Sequence, residues 1–419
     1  MAFSSSAPRP LVSATAARWA LLLLTALNFL NYIDRSILFA VQPQIAAEFH
    51  CSDRQIGLLT SAFFFCYMCF APVAGFLADR VARKYIMAVG AVLWSVATLM
   101  TAVTHSYNVL LIRHTIVGIG EATFVTITPA FVSDLFPEHR RGRIMAVFYV
   151  AIPVGTAIGY LLGGALGQRY GWRAPFYVCA APGVLLGLLL LFVPEPIRGV
   201  RDTIQQTYER SSLAGLRKNG AFWTCSLGMA MMTFAVGGLQ VWMPTFLYRL
   251  RGIPLDQANF RFGLLTVVAG TASALAGGWV GDHLLRKNVG AYYLVSAVGM
   301  AVSIPLVVIA ITVHGTLMYA AILLAEFFIL LNTAPLNAAL VNSVSANIRS
   351  TAVAVNLFTI HLLGDAFSPT IIGYISDKTN LQVGFLPTVV AVILSAVILF
   401  IGMRFAPRVP AIESASAHG

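Results

Sequence analysis

Apolar residues run along this chain in long blocks, each closed by a few polar or charged positions. A helix that crosses a bilayer needs about 20 mostly apolar residues. Twelve blocks reach that length: 18–43, 55–78, 85–104, 108–132, 143–166, 174–194, 221–248, 261–281, 291–312, 316–343, 350–374 and 383–405. The joints between them are short, with one exception. Residues 195–220, EPIRGVRDTIQQTYERSSLAGLRKNG, are polar and basic and fall midway along the chain. The pattern predicts an all-α membrane protein of two six-helix bundles, over 18–194 and 221–405. A cytoplasmic linker at 195–220 joins them, and short flexible tails occupy 1–17 and 406–419.

Composition sharpens this outline. The chain is 58% hydrophobic and only 10% charged, where soluble domains carry about 25% charged residues. The net charge of +11 does not point to nucleic acid, because the basic residues are spread over short loops and form no binding module. They read instead as topology signals. With the N-terminus inside, loops predicted to be cytoplasmic hold eighteen basic residues and outer loops seven, which places both termini in the cytoplasm. Arg9 and Arg18 precede the first apolar core, but the run continues through Tyr32 to Val41 and is longer than a secretory signal. It is read as a retained first span. Four of the five cysteines fall inside apolar blocks, so inert thiols are expected in place of a disulfide framework. The sequence contains no H-E-x-x-H, no G-x-S-x-G and no phosphate-binding loop. An integral-membrane enzyme and an ATP-driven pump are therefore disfavoured, and no cofactor or metal is expected.

The two halves echo one another. GFLADRVARK (Gly75–Lys84) follows the second span and GWVGDHLLRK (Gly278–Lys287) the eighth, with Gly, Asp, Arg and Lys at the same spacing. RRGRIMAVFY after the fourth span likewise echoes IRSTAVAVNL after the tenth. Repeated six-helix halves imply a pseudo-two-fold axis along the membrane normal, with the substrate site at their interface near mid-membrane. In the loop motifs Asp79 is expected to cap helices and pair with basic residues near the eleventh span. Arg80 and Arg83 are expected to bridge to carboxylates such as Asp134, with Asp282 and Arg286 repeating this in the second half. Such pairs would gate the cytoplasmic side.

The G-x-L-A-D-R-x-x-R-K motif resembles the signature of the major facilitator superfamily. NYIDRS, VGIGEATF, TPAFVSDLFP, VFYVAIPVGTAIGYLLGG and HLLGDAFSPTIIGYISD (His361–Asp377) narrow the resemblance to the Spinster family of lipid transporters. The likeness is good over spans one to six and ten to twelve and poor over seven to nine. It implies a twelve-helix carrier for sphingosine 1-phosphate-like or lysophospholipid substrates, and the compact tails resemble those of a bacterial inner-membrane homologue. Two positions depart from the superfamily pattern. His114 occupies the usual fourth-span arginine position, with Arg113 one residue off, so either Arg113 swings in or a histidine replaces a fixed charge. Tyr160 stands where the fifth-span exchanger motif has proline.

Four carboxylates are placed at membrane depth, Asp34, Glu121, Glu326 and Asp365. A charge at the bilayer centre costs about 2.5–3.5 kcal/mol on insertion scales, so each should face a cavity or a partner. Asp34 and Arg35 are neighbours, and their side chains diverge by about 100° around a helix. Arg35 is assigned to the central cavity, where a guanidinium can hold a phosphate or carboxylate. Asp34 is assigned to another helix of the first half, as a proton-binding group. Glu121, flanked by Gly118 and Gly120 that allow close helix approach, is a second proton-binding candidate, and His114 lies two turns away on nearly the same face. His361 and Asp365 are four apart on the eleventh span and share a face, as a switchable pair. Glu326 is set opposite Arg35 across the halves, to be released when substrate arrives, and Pro335 should kink the tenth span. Tyr149, Tyr160 and Trp242 are aromatic candidates for the cavity wall, with packing as their default role.

The sequence thus predicts a monomeric secondary transporter in contact with membrane lipids, moving an amphipathic anion by alternating access, with proton coupling left open. A proton-linked sugar-acid or organic-anion transporter is the rival reading, since N-Y-x-D-R also occurs there. The eleventh-span run favours lipid.

Overall fold

In hydrocarbon every backbone N–H and C=O must find a partner within its own segment, and a helix does this without outside help. A computed structural model of the chain describes residues 12–198, 216–285, 287–344 and 348–406. Arg286, most of the 195–220 linker and the greater part of both tails lie outside the described residues. Among the described residues twelve helices are long and apolar enough to cross a membrane. They are α1 (Ala14–Phe49), α2 (Asp53–Ala78), α3 (Arg83–Ala102), α4 (Tyr107–Leu135), α5 (Arg143–Tyr170), α6 (Ala174–Phe192), α7 (Gly220–Arg251), α8 (Leu255–Leu285), α9 (Ala291–Thr312), α10 (Thr316–Asn342), α11 (Thr351–Lys378) and α12 (Leu381–Phe405).

Polar residues between the blocks start the helices as caps. Ser13 accepts from the Ala16 N–H, and Ser106 accepts from Val109. Ser52 and Gln55 form a reciprocal capping box at the start of α2, which satisfies two of the N–H groups a helix start leaves open.

Four of the described spans are not continuous helices: α5 has a one-residue turn at Val150 and α12 one at Phe385, and the breaks in α10 and α11 are larger. In α10 the helix runs Thr316–Leu330 and resumes at Thr333–Asn342, with Leu331 and Asn332 in a turn. Pro335 sits in the first turn of the second piece, so the expected kink becomes a break. In α11 a wide π-helical turn covers His361–Asp365, and Gly364 leaves helical geometry (φ −102°, ψ −107°). The α-helical spacing that would set His361 and Asp365 on one face is therefore absent, and that expectation is corrected. Wide turns inside spans occur where function needs an irregular backbone.

Close packing within the first six spans depends on small residues. A Cβ on Gly155 would stand 2.8 Å from the Phe29 carbonyl oxygen, and one on Gly159 would stand 2.6 Å from that of Ile33. Together with Gly163 over Ala40 they seat α5 directly on the backbone of α1. Around this contact Phe63, Trp94, Phe124, Phe131 and Phe148 form a buried aromatic core. Outward-facing apolar residues such as Phe192 (83% exposed) and Leu275 (74%) have the character of a lipid-facing surface.

By contacts the chain forms two compact units. One gathers Met1–Thr207 with Gly237–Val267 and Asp365–Phe385, so that ends of α7, α8 and α11 join the first six spans. The other comprises Tyr208–Val236, Val268–Gly364 and Leu386–Gly419. Inside the second unit buried hydroxyls cross between helices. Tyr293 donates to the Ala221 carbonyl (2.7 Å) and Ser395 to that of Gly228 (2.8 Å).

Gly159→Val is expected to overpack the α1–α5 contact and cost about 1–3 kcal/mol. A thermal melt in detergent should show a clearly lowered Tm. Gly278→Ala, whose nearest neighbour would be the Ala334 Cβ at 3.9 Å, should leave the Tm unchanged.

Candidate functional site

The site grows from one face of α1. Asn28, Asn31 and Arg35 are spaced by three and four residues, which stacks them along one side of the helix. Asn28 is buried and donates to the Phe148 carbonyl (3.0 Å), fixing α1 against the start of α5. Arg35 Nε donates to Glu121 Oε2 at 2.6 Å, and the two side chains are 12% and 0% exposed. The guanidinium carbon lies 5.1 Å from the Tyr32 ring centroid, 5.0 Å from Phe63, 5.8 Å from Phe64 and 5.2 Å from Tyr67. An ion pair and four aromatic rings, whose faces attract cations, thus share one buried charge. The pairing is single-pointed. Arg35 Nη2 is buried with no hydrogen-bond partner among the described residues.

Asp34 leaves α1 on another side, as its adjacent position requires. It is 7% exposed and accepts a hydrogen bond from Thr98 Oγ1 on α3. The two adjacent charges therefore serve separate helix interfaces. His114 is buried and stacks on Phe63 with centroids 5.2 Å apart, so it backs the ring that faces Arg35. Arg113 does not swing in. Its Nη1 donates to the Met100 carbonyl and to Thr104 Oγ1 (2.5 Å), holding the C-terminal end of α3. The orphan carbonyls of a helix end attract a guanidinium to that position.

Glu326 was the carboxylate expected opposite Arg35. The carboxylate found on Arg35 is Glu121, because Gly118 and Gly120 let α4 approach α2 and α3 closely enough to bring it there. Glu326 is buried in α10 one turn before the Leu331–Asn332 break, and His361 and Asp365 bound the wide turn of α11. Tyr149 is 45% exposed and packs edge-on against Phe148. Tyr160 is fully buried and donates to the Gln240 carbonyl (2.6 Å), and Trp242 donates to that of Pro369 (3.0 Å). Both tie α7 to its neighbours.

At the predicted cytoplasmic end Arg83 is the centre. It donates to Asp134 (2.6 Å), to Glu195 (2.9 Å) and to the Pro196 carbonyl (3.1 Å), joining the starts and ends of α3, α4 and α6. Arg80 was expected to bridge to a carboxylate; it folds back on its own helix instead. It donates to the Phe76 carbonyl (3.0 Å) and lies 3.4 Å from that ring. At a helix C-terminus the nearest unsatisfied acceptor is the helix itself. Asp79 is exposed, and its carbonyl accepts from Arg198. Asp282 accepts from the Tyr292 hydroxyl (2.8 Å), while Arg286 lies outside the described residues.

Sequence reasoning missed two features. One is the aromatic box around Arg35, in which Phe63, Phe64 and Tyr67 fall on one side of α2. The second is a latch at the predicted outer end. Asp53 accepts from Ser376 Oγ (2.6 Å) and from Arg249 Nη1 (2.5 Å). In return Asp377 accepts from the N–H groups of Asp53 (2.7 Å) and Arg54 (3.0 Å), a carboxylate on the positive end of α2. Thr370 adds a bond to Ser61 (2.7 Å). Only the Ser52–Gln55 cap signalled that end in the sequence.

Twelve spans, a buried charge site in the first six and a repeated loop motif define a membrane carrier of the major facilitator class. The Major Facilitator Superfamily model matches residues 24–369. The chain is 38% identical over 383 residues to protein spinster homolog 3 of Danio rerio, covering 86% of this chain and 77% of that protein. It is 35% identical over 368 residues to sphingosine-1-phosphate transporter SPNS2 of Xenopus tropicalis, covering 84% and 72%. A crystal structure of a bacterial homolog of the human lysosomal transporter Spinster, inward-facing and unoccupied, superposes with a TM-score of 0.83 at 24% identity, covering 94% of this chain and 98% of that one. The chain belongs to the Spinster family of the major facilitator superfamily and is a multi-pass membrane protein.

Asp53→Ala removes the acceptor for both Ser376 and Arg249. Labelling of Cys51, in the loop beside the latch, by a water-soluble maleimide should become several-fold faster than in the parent protein. An unchanged rate would mean that the latch does not hold that end together.

Proposed function

We propose that this chain is a secondary transporter of the bacterial inner membrane that moves an amphipathic anion, of the lysophospholipid or sphingosine-phosphate type, by alternating access. The observation that carries this reading is the half-used guanidinium of Arg35. A planar fork suits two oxygens of a phosphate or carboxylate, yet here Nε is on Glu121 and Nη2 is unpartnered among the described residues. An arriving anion can take Nη2 first and then displace Glu121. The surrounding rings of Tyr32, Phe63, Phe64 and Tyr67 offer apolar faces to the part of the ligand next to its head group. The naming of one relative for sphingosine 1-phosphate supports the lipid class.

Proton coupling follows from the same exchange. A buried carboxylate that loses its counter-ion is costly to keep ionised, so Glu121 takes up a proton when substrate takes Arg35. Asp34, on Thr98, is the second proton site in this proposal, and His114 and Asp365 are the further candidates. Glu326, His361 and Tyr149 are the further substrate-binding candidates in this proposal. Arg83 with Asp134, and Asp79, Asp282 and Arg286, are proposed for cytoplasmic gating. A sugar acid would also engage Arg35, but it would need many more hydrogen-bonding groups than a ring of aromatic side chains provides.

Arg35→Ala should abolish uptake of a lysophospholipid by proteoliposomes while the purified protein remains folded, and Arg35→Lys should recover only part of the activity, because it lacks the fork. Retained uptake in Arg35→Ala would remove Arg35 from the site. Asp34→Asn and Glu121→Gln should each flatten the pH dependence of uptake between mildly acidic and mildly alkaline buffers. A pH profile identical to that of the parent would exclude coupling through these carboxylates.

A further inference from the structure

The polar face of α1 does not stop at Arg35. Gln42 lies seven residues on, so it shares nearly the same face, about 10 Å nearer the predicted outer end. It is 1% exposed, and neither Nε2 nor Oε1 has a hydrogen-bond partner among the described residues. On α2, Thr60 lies four residues before Phe64 and seven before Tyr67, on the side of the helix that carries the Arg35 box. It is also 1% exposed, and its Oγ1 has no partner among the described residues. The two residues are level. Gln42 stands eight positions before His50 and Thr60 eight positions after Ser52, on either side of the short turn that joins α1 to α2. Ser368 on α11, fully buried, also carries an unpartnered hydroxyl among the described residues, and it faces α7 at Gly237.

Buried amides and hydroxyls without partners are costly, and native structures hold few of them. Those named here lie in one compact unit, and none takes part in the exchange between Arg35 and Glu121. Their chemistry is uniform. A carboxamide offers two donors and an acceptor, and each hydroxyl offers one donor and acceptor sites. With no charge among them, they complement a neutral group that both donates and accepts, which is an alcohol or an amide.

We propose that Gln42 and Thr60 form a second, neutral subsite that binds the hydroxyl or amide borne by the substrate beside its anionic head. The subsite rests on the reading of Arg35 as the anion site. It would make the transporter select, among single-tailed anions, those that carry such a group.

The test compares two probes on purified protein, 1-oleoyl lysophosphatidate and oleyl phosphate, which share a phosphate and an oleyl-length tail while only the first has the hydroxyl. Binding is read by microscale thermophoresis. The parent protein is expected to bind lysophosphatidate about tenfold more tightly, the size of one well-made buried hydrogen bond. Gln42→Leu and Thr60→Val should each erase that preference and leave oleyl phosphate binding unchanged. Their ligand-free Tm should be equal to or above that of the parent, since an unpartnered buried polar group has been removed. A parent without preference, or variants that weaken both probes equally, overturns the subsite. A lowered Tm with no change in preference would make both residues packing elements only, which also overturns it. If the parent binds neither probe, the anionic-lipid reading fails and the subsite with it; loss of both probes in Arg35→Ala alone leaves that reading standing.

Discussion

A guanidinium in hydrocarbon is the constraint around which the rest of this structure is arranged. Neither transfer to water nor loss of its proton is open to Arg35, so its environment must supply the compensation. Glu121 gives one charge-assisted bond at 2.6 Å and four rings give their faces. Each element of this compensation comes from a different place in the chain. Tyr32 is on α1, the other three rings are on α2, and Glu121 is on α4. The site therefore exists only when three helices are packed at fixed depth and rotation. That requirement explains why small residues accumulate here. Gly118 and Gly120 bring α4 down onto α2 and α3, and Gly155 and Gly159 bring α5 onto α1. A side chain at any of those positions would meet the neighbouring backbone at under 3 Å and force the helices apart.

Much of the fold was legible in the sequence because the bilayer imposes a one-dimensional rule. Length and apolarity of a block are enough to give a span, and all twelve expected spans are present as helices. What could not be read was irregularity inside a span. The wide turn at His361–Asp365 depends on how α11 is packed at Gly364, where a Cβ would stand 2.9 Å from Thr233 Cβ. No local propensity announces such a contact. Pro335 did signal a disturbance of α10, but proline alone does not separate a kink from a break.

The site was legible in its members more than in its pairings. Burial cost singled out Asp34, Arg35 and Glu121, and helix periodicity correctly forced Asp34 and Arg35 apart, onto Thr98 and Glu121 respectively. Which carboxylate meets Arg35 is a long-range fact, with the partners 86 positions apart. A single sequence holds no measure of that distance, so the choice of Glu326 over Glu121 had no physical support. Arg113 and Arg80 show the same limit on a smaller scale. Arg80 was expected to bridge to a carboxylate, and for Arg113 reaching the site was one of two open alternatives; each satisfies a helix end instead, Arg80 four residues away and Arg113 thirteen residues away at the end of α3. A basic side chain at a helix terminus has an acceptor at hand, and local acceptors win unless a carboxylate is closer.

The two ends of the first unit differ in what their charges join, and that difference bears on the proposed cycle. At the predicted cytoplasmic end, Arg83 links α3, α4 and the segment after α6, all within the first six spans. At the predicted outer end, Asp53 and Asp377 link α2 to α7 and α11, which come from the second half of the sequence. Tyr160 on α5 adds one more bond to the second half, on the Gln240 carbonyl. Parting of the sequence halves at that end must therefore break several charge-assisted bonds together and leave the positive end of α2 without its carboxylate. Each bond is modest against water, so the set can be exchanged for hydration at small net cost while still favouring one closed arrangement. The Arg35–Glu121 pair lies deeper, shielded from water, where no such exchange is available. The outer latch thus joins the two sequence halves through bonds that water can replace, whereas the buried pair holds helices of the first half together where water cannot.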